Sequence, residues 1–301
     1  MQSFSYHDLL TDNFGWADES RKIIKGYVPE TVALKFHKKM PKGAALRQLQ
    51  HQHLHLAYWE TKYYKEAISK FLSLPVSKNN IVADIGCGDG RFTEYLIDKG
   101  YHQIIATDID IKPLINLADF LSETGDREKV ILIHSGVEKL PLKDNILDAA
   151  LCIGVLYYLN EDYETGLQEV LRLLKKGGLL INSEPDLEGA IYKSIFFESI
   201  DDVYENFFCK KFKEEKGDTP YKFRLFSEEE LVDILTKNGQ SVVDKVGLSL
   251  LPSIVRIMMV RGILDKASLE ESEYKMQHIM DYMNEFGKLS KHIIWKSIKV
   301  R

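Results

Sequence analysis

Residues 81–91, Ile81-Val-Ala-Asp-Ile-Gly-Cys-Gly-Asp-Gly-Arg91, decide the fold, because an apolar run ends there in a glycine-rich turn that leads directly into RFTEYLIDKG. Gly86, Gly88 and Gly90 lack a Cβ atom, so the turn can adopt positive φ values and bring its backbone close to a ligand. The helix expected next presents unpaired N–H groups at its first turn. The stretch therefore predicts a strand, a ligand-binding turn and a helix.

Two carboxylates indicate what the turn binds. The glycine spacing is G-x-G-x-G and not the G-x-G-x-x-G of a dinucleotide site, so a nicotinamide dehydrogenase is the weakest alternative. Asp84 lies two residues before the first glycine, where its charge favours a cationic amino or sulfonium group over a pyrophosphate. Asp108 ends the next apolar run, QIIATD, and can accept hydrogen bonds from two ribose hydroxyls. The alternative for Asp108 is a turn former, with Asp110 as a helix cap.

Outward from this stretch, residues 80–247 alternate short β-rich runs with amphipathic segments, which is typical of a parallel sheet with crossover helices. The final HIIWKSIKV alternates with period two and predicts a closing strand. Residues 45–74 contain no Gly or Pro and predict one long helix, after shorter helices and turns. The other strands are expected at 81–85, 103–107, 130–134, 148–153, 179–183 and 241–246.

The chain divides into three zones. We expect a helical N-terminal extension or cap at residues 1–75, a ligand-binding α/β domain at residues 76–247, and a helical insertion with the closing strand at residues 248–301. A lid insertion rich in aromatic residues interrupts the α/β domain at 187–226, and the later insertion carries several methionines. Both fit an enclosed apolar chamber for an organic small molecule, although a helical cap would use the same residues as core.

Composition and charge exclude several classes of protein. The 301 residues are 45% hydrophobic and 28% charged, which excludes a disordered chain, a collagen and a disulfide scaffold. A net charge of −5 gives no global positive field, so bulk nucleic-acid binding is not expected. Three cysteines without a CxxC spacing argue against disulfides and structural zinc and predict a cytoplasmic protein. We expect no export signal and no transmembrane segment.

Four motifs in order resemble those of the class I S-adenosylmethionine-dependent methyltransferases. Residues 82–91 look like their motif I, and residues 106–110 are similar to their acidic second-strand end. Residues 138–148 resemble their E-x-L-P-F-x-D-x-x-F-D segment, and residues 173–180 resemble the L-K-P-G-G turn before their fifth strand. The resemblance implies an α/β enzyme with a doubly wound, seven-stranded, mostly parallel sheet, to which the N-terminal helical extension and the helical cap insertions are added. It also implies S-adenosylmethionine as cofactor, S-adenosylhomocysteine as product, and no metal.

The resemblance carries cofactor roles over onto the matching positions. The three glycines would pass close to the methionyl part, and Asp84 would meet its ammonium group. Asp108 would hold the ribose hydroxyls, with Ile109 against the adenine face. Relatives often have G-D-A where this chain has Ser135-Gly136-Val137, so a backbone N–H is the expected adenine contact. The remaining implied contacts are Val137 and Glu138 at the adenine edge, and Cys152 and Ile153 in the methyl-donor pocket.

The acceptor would lie outside the carboxyl ends of the strands. Tyr157 and Tyr158 stand where relatives often show L-H-H-L, so no histidine base is available at that position. Tyr157 is a candidate for orienting the acceptor, with aromatic packing as the alternative. Glu184, after the fifth strand of the motif series, is a candidate for binding an amine or hydroxyl, with a solvated loop carboxylate as the alternative.

The N-terminal helix carries two groups of side chains. His51, His53 and His55 could ligate a metal by spacing, but nothing completes such a site, so solvated or packed histidines are favoured. Tyr63 and Tyr64, with the neighbouring Tyr58 and Trp59, would either close the cofactor site or bury the helix against the sheet.

The sequence thus favours a methyltransferase acting on an O or N atom of a small, partly apolar metabolite. An RNA or tRNA methyltransferase is disfavoured by the net charge, although Lys210, Lys211 and Lys213 could form a local basic patch. A non-methylating cofactor-binding protein of the same fold is the third hypothesis. The sequence leaves a homodimer open and assigns no role to residues 1–43.

Overall fold

The structure is a computed structural model, and it describes residues 6–11, 14–29, 56–77, 79–197, 200–204, 212–215, 221–265, 273–286 and 290–300. The strands are β1 (Gly15–Asp18), β2 (Ile23–Lys25), β3 (Ile81–Ile85), β4 (Gln103–Asp108), β5 (Val130–His134), β6 (Leu147–Ile153), β7 (Leu174–Pro185), β8 (Phe212–Glu215), β9 (Tyr221–Arg224), β10 (Gln240–Ser249) and β11 (Ser290–Lys299). The helices are α1 (Tyr6–Leu9), α2 (Leu56–Phe71), α3 (Arg91–Asp98), α4 (Ile111–Thr124), α5 (Tyr163–Leu173), α6 (Leu187–Phe197), α7 (Ile200–Val203), α8 (Glu228–Lys237), α9 (Leu251–Val260) and α10 (Glu273–Phe286). A 3-10 segment, Leu156–Asp162, lies between β6 and α5.

The central sheet has the strand order β1-β2-β5-β4-β3-β6-β7-β11-β10. The pairs from β2 through β7 are parallel, and β11 is antiparallel to both β7 and β10. The seven strands expected from the sequence are all present and form the continuous block from β5 to β10. The mostly parallel α/β fold and its antiparallel closing strand are therefore confirmed.

The strand number and the helical character of the N-terminal extension need correction. The sheet has nine strands, because residues 15–25 form β1 and β2 at its edge beyond β5. Ile23 and Ile24 are fully buried in the cores on opposite faces of the sheet, as a parallel strand covered on both sides requires. A three-residue strand is too short to show a period, which is why the sequence does not predict it.

The sheet separates two hydrophobic cores. Val82 and Ile104 pack on the face covered by α2, α3 and α4, whereas the next residues, Ala83 and Ile105, pack on the face covered by α5 and α8. This alternation brings apolar side chains to both faces, so each parallel strand reads as a continuous apolar run. The helices leave the carboxyl ends of β3, β4, β6 and β7 at one edge of the sheet.

Helix α2 is the described part of the long helix predicted at 45–74, and it ends at Phe71. Residues 45–55, with His51, His53 and His55, lie outside the described residues. Trp59, Tyr63 and Tyr64 are buried against the first face of the sheet. These aromatic side chains therefore bury the helix against the sheet, and the same helix lies beside the candidate site.

The lid, residues 187–226, joins the sheet where its two ends meet, and its helix α6 also contacts β11. Its ends meet in a parallel bridge between Asp186 and Phe226, where Leu187 N donates to Phe226 O at 3.0 Å. It contains α6, α7 and the hairpin β8–β9, so it is not purely helical as the sequence suggests, and Phe207 and Phe208 lie outside the described residues. A small core of its own forms around Val203 and Leu225.

The second insertion contributes α9 and α10, which pack beside α2. Asp281 on α10 forms an ion pair with Lys62 at 2.5 Å and accepts a hydrogen bond from Tyr63 at 3.3 Å. Ser227 caps the start of α8, since its Oγ accepts from Glu230 N at 3.2 Å. In the part of the chain that the structure describes, no helix is long and apolar enough to cross a membrane.

Candidate active site

The glycine loop lies where β4 and β6 diverge on either side of β3, which is the crevice where open α/β sheets bind ligands. Gly86, Gly88 and Gly90 all have positive φ, at 70°, 53° and 92°. A Cβ on Gly86 would lie 2.3 Å from a methyl group of Val155, and one on Gly90 would lie 2.3 Å from a methyl group of Leu117. A Cβ on Gly88 would meet nothing within 4 Å. Gly88 is therefore the glycine that faces open space.

Asp108 ties the end of β4 to this loop. Its Oδ2 accepts from Gly88 N at 2.8 Å and its Oδ1 accepts from Asp110 N at 2.8 Å. The capping role weighed as an alternative belongs to Asp110, whose carboxylate accepts from Lys112 N at 3.0 Å at the start of α4. Ile109 is partly buried between the two aspartates. Asp108 is thus held at the strand end, beside the open side of Gly88.

Asp84 is buried behind the loop, with 1% of its surface exposed. Thr93 on α3 donates a hydrogen bond to its Oδ2 at 2.7 Å. Burial raises the pKa of Asp84 to about 6, although the hydrogen bonds from Thr93 and the charge of Arg91 lower it. A positive group placed near this carboxylate would stabilise its charged form.

The loop after β5, where Val137 and Glu138 are predicted to contact adenine, is joined by residues of the N-terminal extension, to which the sequence assigns no role. Val137 is buried, and the Oε2 atom of Glu138 is buried without a hydrogen-bond partner among the described residues. The carbonyl of Tyr27 accepts from Gly136 N at 2.6 Å, which holds the segment after β2 against this loop. Pro29 also contacts Gly136, since a Cβ there would lie 2.9 Å from Pro29 Cδ.

Cys152 and Ile153 point to opposite faces at the end of β6. Cys152 is completely buried in the core under α5, and burial raises the pKa of its thiol. Ile153 is buried on the face that carries α2, α3 and α4. Of the two predicted to line the methyl-donor pocket, Ile153 therefore lies on the same face as the glycine loop helix.

Glu184 at the end of β7 is not a solvated carboxylate, since only 1% of its surface is exposed. Its Oε1 accepts from Tyr163 at 3.0 Å and from Asn182 at 3.2 Å. Its Oε2 is buried and has no hydrogen-bond partner among the described residues. Burial raises the pKa of Glu184 to about 8, although the hydrogen bonds and Arg224 lower it.

Three aromatic rings from different elements meet beside the end of β7. His292 on β11 lies edge-on to Tyr157, with ring centroids 5.7 Å apart, and to Tyr64 on α2, at 6.4 Å. Tyr64 also reaches the sheet, with its hydroxyl 3.4 Å from Ser183 Oγ. The structure thus places the predicted Tyr157 next to His292, which no sequence motif had indicated, and His292 next to Tyr64. The predicted Glu184 interacts electrostatically with both Tyr157 and Tyr64.

A small cavity opens between α2, the start of α9 and the start of β11. The ammonium of Lys291 pairs with Glu60 on α2; burial alone would raise the pKa of Glu60, but this pairing lowers it. Burial, together with the charge of Lys291, lowers the pKa of His292 to about 3, so the ring is neutral at physiological pH. The cavity is lined by Glu60, Tyr63, Tyr64, Leu248, Ser249, Pro252, Ser253, Lys291 and His292.

Sequence reasoning missed His292 because its neighbours in space are far from it in the chain. The only signal at this position is a polar residue at the start of a period-two strand. Within the described ranges, no group of His, Cys, Asp or Glu side chains could hold a metal ion.

The described residues fit S-adenosylmethionine. The open side of Gly88 can take the methionyl part, Asp108 lies where ribose hydroxyls would be held, and the unsatisfied Glu138 oxygen can accept from an amino group. Residues 83–182 match the family model described as a methyltransferase domain. This domain match and the sheet order confirm the resemblance to the class I S-adenosylmethionine-dependent methyltransferases.

The relatives that the chain resembles differ in what their names say they act on. It is 32% identical over 125 residues to a tRNA U34 carboxymethyltransferase of Helicobacter acinonychis, covering 41% of this chain and 46% of that protein. It is 24% identical over 166 residues to a demethylmenaquinone methyltransferase of Bacillus pumilus, covering 53% of this chain and 69% of the other. An S-adenosylmethionine-dependent methyltransferase structure from Methanosarcina mazei superposes with a TM-score of 0.53 at 16% identity, covering 78% and 97%. The chain spans less than half the length of the Helicobacter relative.

Proposed function

We propose that this protein transfers a methyl group from S-adenosylmethionine to an oxygen or nitrogen atom of a small, partly apolar metabolite. The observation that carries the proposal is the state of Glu184, a fully buried carboxyl group with one unsatisfied oxygen. An unsatisfied buried polar atom costs about 1–3 kcal/mol, so such a group is expected where a ligand completes its hydrogen bonds. Tyr64 and Tyr157 interact electrostatically with Glu184, and their rings meet that of His292 in an aromatic group that suits an apolar acceptor.

The proposed chemistry divides the work between cofactor and protein. The cofactor, when bound, supplies a methyl group on a positively charged sulfur. Asp84, Gly88 and Asp108 would hold the cofactor at the loop, and the protein would align the acceptor for an in-line displacement. Tyr157 would orient the acceptor, and Glu184 would take its proton where the acceptor carries one.

Calorimetric titration with S-adenosylhomocysteine tests the cofactor half of the proposal. We expect binding by the unmutated protein, and Asp108→Ala should weaken it by about 10-fold to 100-fold, because hydrogen bonds to a charged group contribute about 1.5–3 kcal/mol. Asp119→Asn, in α4 and paired with Arg21 away from the loop, is the matched control and should bind normally. Failure of the unmutated protein to bind would refute the proposal.

Transfer to RNA is a second candidate, favoured by the similarity to a tRNA U34 carboxymethyltransferase. The net charge of −5 and the enclosure of Glu184 favour a small acceptor instead. Of the lysines expected to form a basic patch, Lys210 and Lys211 lie outside the described residues. RNA retention that falls steeply with salt would support the RNA candidate. The product's mass would distinguish a methyl from a carboxymethyl group.

The third hypothesis, a non-methylating protein of this fold, makes a different prediction. Such a protein would bind S-adenosylhomocysteine but form no product from any pool of metabolites. The cytoplasmic location and the homodimer remain predictions, and sedimentation at several protein concentrations tests the latter.

A further inference from the structure

The surroundings of Glu184 leave one of its oxygens for a ligand. Tyr163 and Asn182 both donate to Oε1, while Oε2 is buried and has no partner among the described residues. Glu184 is held from two sides, because Tyr163 belongs to α5 and Asn182 to its own strand, β7. The carboxyl group is therefore fixed in orientation with Oε2 free to accept or donate one proton.

Among the described residues, the titratable groups that interact with Glu184 come from several elements, and Arg224 is the cation among them. Cys152 on β6, Tyr163 on α5, Tyr157 in the 3-10 segment and Tyr64 on α2 each interact electrostatically with Glu184, and their pKa values are all raised, mainly by burial. These four groups are neutral at physiological pH. The positive charge comes from Arg224, the last residue of β9 in the lid.

Arg224 is placed to act on Glu184 through the tyrosine between them. Its guanidinium lies 5.8 Å from the centre of the Tyr163 ring and 4.9 Å from that of Phe226. Its Nη2 atom donates to Glu230 Oε1 at 2.7 Å, which fixes the side chain. The hydroxyl of the same Tyr163 donates to Glu184, so the lid touches the residue that orients this carboxyl group.

We propose that Glu184 is a donor-gated base. It releases its own proton only when the positive charge of Arg224 and that of the cofactor's sulfonium group both lie near it. It then deprotonates a weakly acidic hydroxyl of the acceptor. The inference rests on the proposed function and deepens it. Without a bound donor, burial keeps the carboxyl group protonated at neutral pH. With a donor bound, the added positive charge favours the carboxylate.

The proposed step balances in atoms and charge. The acceptor oxygen forms a bond to the methyl carbon as the carbon–sulfur bond breaks, and that electron pair stays on sulfur. The proton of the acceptor hydroxyl moves to Oε2 of Glu184, which returns to its neutral form and later releases the proton to solvent. No oxidant, reductant or metal takes part.

A weakly acidic hydroxyl, such as that of a phenol or enol, is the acceptor class that fits this base. Proton transfer is most efficient when the base titrates near the working pH, and burial brings the pKa of Glu184 to about 8. An aliphatic hydroxyl is too weak an acid for such a base, and an unprotonated amine needs none. The edge-on rings of Tyr64, Tyr157 and His292 also suit a flat, conjugated acceptor.

The test is a site-resolved titration of Glu184 by NMR with carboxyl-labelled glutamate, assigned with Glu184→Gln. It compares the free protein with the S-adenosylhomocysteine and S-adenosylmethionine complexes. Because the two ligands differ by a methyl group and one positive charge, we expect S-adenosylmethionine to lower the pKa of Glu184 by about one unit or more relative to S-adenosylhomocysteine. Equal values in the two complexes would overturn the proposal.

Variants separate the role of Arg224 from a structural one. Arg224→Gln should raise the pKa of Glu184 in the free protein, and Arg224→Lys should keep that pKa close to the wild-type value. Tyr163→Phe should also raise the pKa of Glu184, because it removes a hydrogen bond to the charged form. Lys237→Gln, which removes an exposed ion pair on α8, is the control and should change nothing. If Arg224→Gln leaves the titration unchanged in a folded protein, the lid has no part in the gating and the proposal is wrong.

Failure of the proposed function and failure of the gated base give different results. A protein that binds neither ligand fails the proposed function before Glu184 is examined. A protein that binds both, but whose Glu184 titrates alike in the two complexes, retains the proposed function and loses the gated base. An acceptor screen then checks the class: phenols and enols should be methylated with a rate that rises with pH as Glu184 ionises, and Glu184→Gln should slow transfer about 100-fold or more.

Discussion

At the scale of single residues, three glycines with the same spacing and positive φ do different work. Gly86 and Gly90 are required by the fold, since a side chain at either would collide with Val155 or Leu117. Gly88 faces open space and bonds Asp108 through its N–H, so its missing side chain leaves room for a ligand. The sequence motif alone does not separate these roles.

Gly88→Ala should therefore weaken S-adenosylhomocysteine binding at least about 10-fold while lowering stability by only the roughly 1–2 kcal/mol of left-handed strain. Gly125→Ala is the matched control: Gly125 also has a positive φ and open surroundings, but it ends α4 away from the loop. It should show the strain without the loss of binding. Gly86→Ala should unfold the protein at a clearly lower temperature. Calorimetry and thermal unfolding measure all three, and equal binding by Gly88→Ala and Gly125→Ala would contradict the assignment.

Glu184 makes stability depend on pH in a definite direction. Its pKa rises from 4.5 to about 8 on folding, so folding favours the protonated form. This stabilisation is complete below pH 4.5 and is lost as the pH rises through about 8. Glu184→Gln does not titrate and therefore does not lose stability in this range. The free energy of unfolding of the variant minus that of the wild type should increase toward alkaline pH, by at most about 1.4 kcal/mol per unit of pKa shift. Urea unfolding at pH 5 and pH 9 measures the difference, and a difference independent of pH would contradict it.

At the scale of elements, the two short strands at the N-terminus extend the sheet and also carry a segment to the cofactor site. β2 pairs in parallel with β5, and residues 26–29 continue along the loop after β5. Ser135 anchors this segment, because its hydroxyl lies within hydrogen-bond distance of the carbonyls of Tyr27, Gly136 and Lys139. The predicted adenine contact would therefore be built from two parts of the chain more than a hundred residues apart.

Gly26→Ala should detach this segment, because its Cβ would lie 2.5 Å from Ser135 Oγ, which its three carbonyl contacts hold in place. We expect a stability loss of about 1–3 kcal/mol, typical of overpacking, and several-fold weaker S-adenosylhomocysteine binding. Gly15→Ala in β1 is the control, since a Cβ there meets nothing within 4 Å. Weaker binding by the control would show that the effect does not come from the contact with Ser135.

At the scale of the whole molecule, one sheet supports the glycine loop and receives the elements that surround the proposed acceptor region. α2, the lid and β11 arrive from distant parts of the sequence and meet at the carboxyl ends of β6 and β7. The lid adds its own small core and contacts the sheet near Asp186 and Phe226 and through α6 against β11. We predict that binding of the cofactor and enclosure of the acceptor are separable.

Replacing residues 188–225 with two glycines should leave a folded protein that binds S-adenosylhomocysteine but transfers no methyl group. The ends of the lid already meet, with Leu187 N bonded to Phe226 O at 3.0 Å, so a short link can close the gap without moving the sheet. Solvent would reach Glu184 and its pKa would fall toward the ordinary range. Circular dichroism, calorimetry and the NMR titration test these points. Loss of cofactor binding in a folded variant would contradict the separation.

The sequence by itself determined the parts of this protein whose physics is local. Short-range spacing fixes backbone conformation and side-chain periodicity. For this reason the sequence predicts the glycine turn, the two aspartates and the seven strands. Asp108 beside Gly88 follows from the order of two neighbouring parallel strands. The same local rules missed β2, which is too short to show a period, and gave no warning that Glu184 is buried.

Only the tertiary structure decided the chemistry of the acceptor region. His292 lies more than a hundred residues from Tyr157 and more than two hundred from Tyr64, and nothing in the local sequence of any of them indicates the other two. Burial, which sets the pKa values of Glu184 and His292, is a property of the assembled elements. A sequence motif can specify the cofactor loop because one continuous segment makes it, whereas the acceptor region exists only where the sheet brings distant segments together.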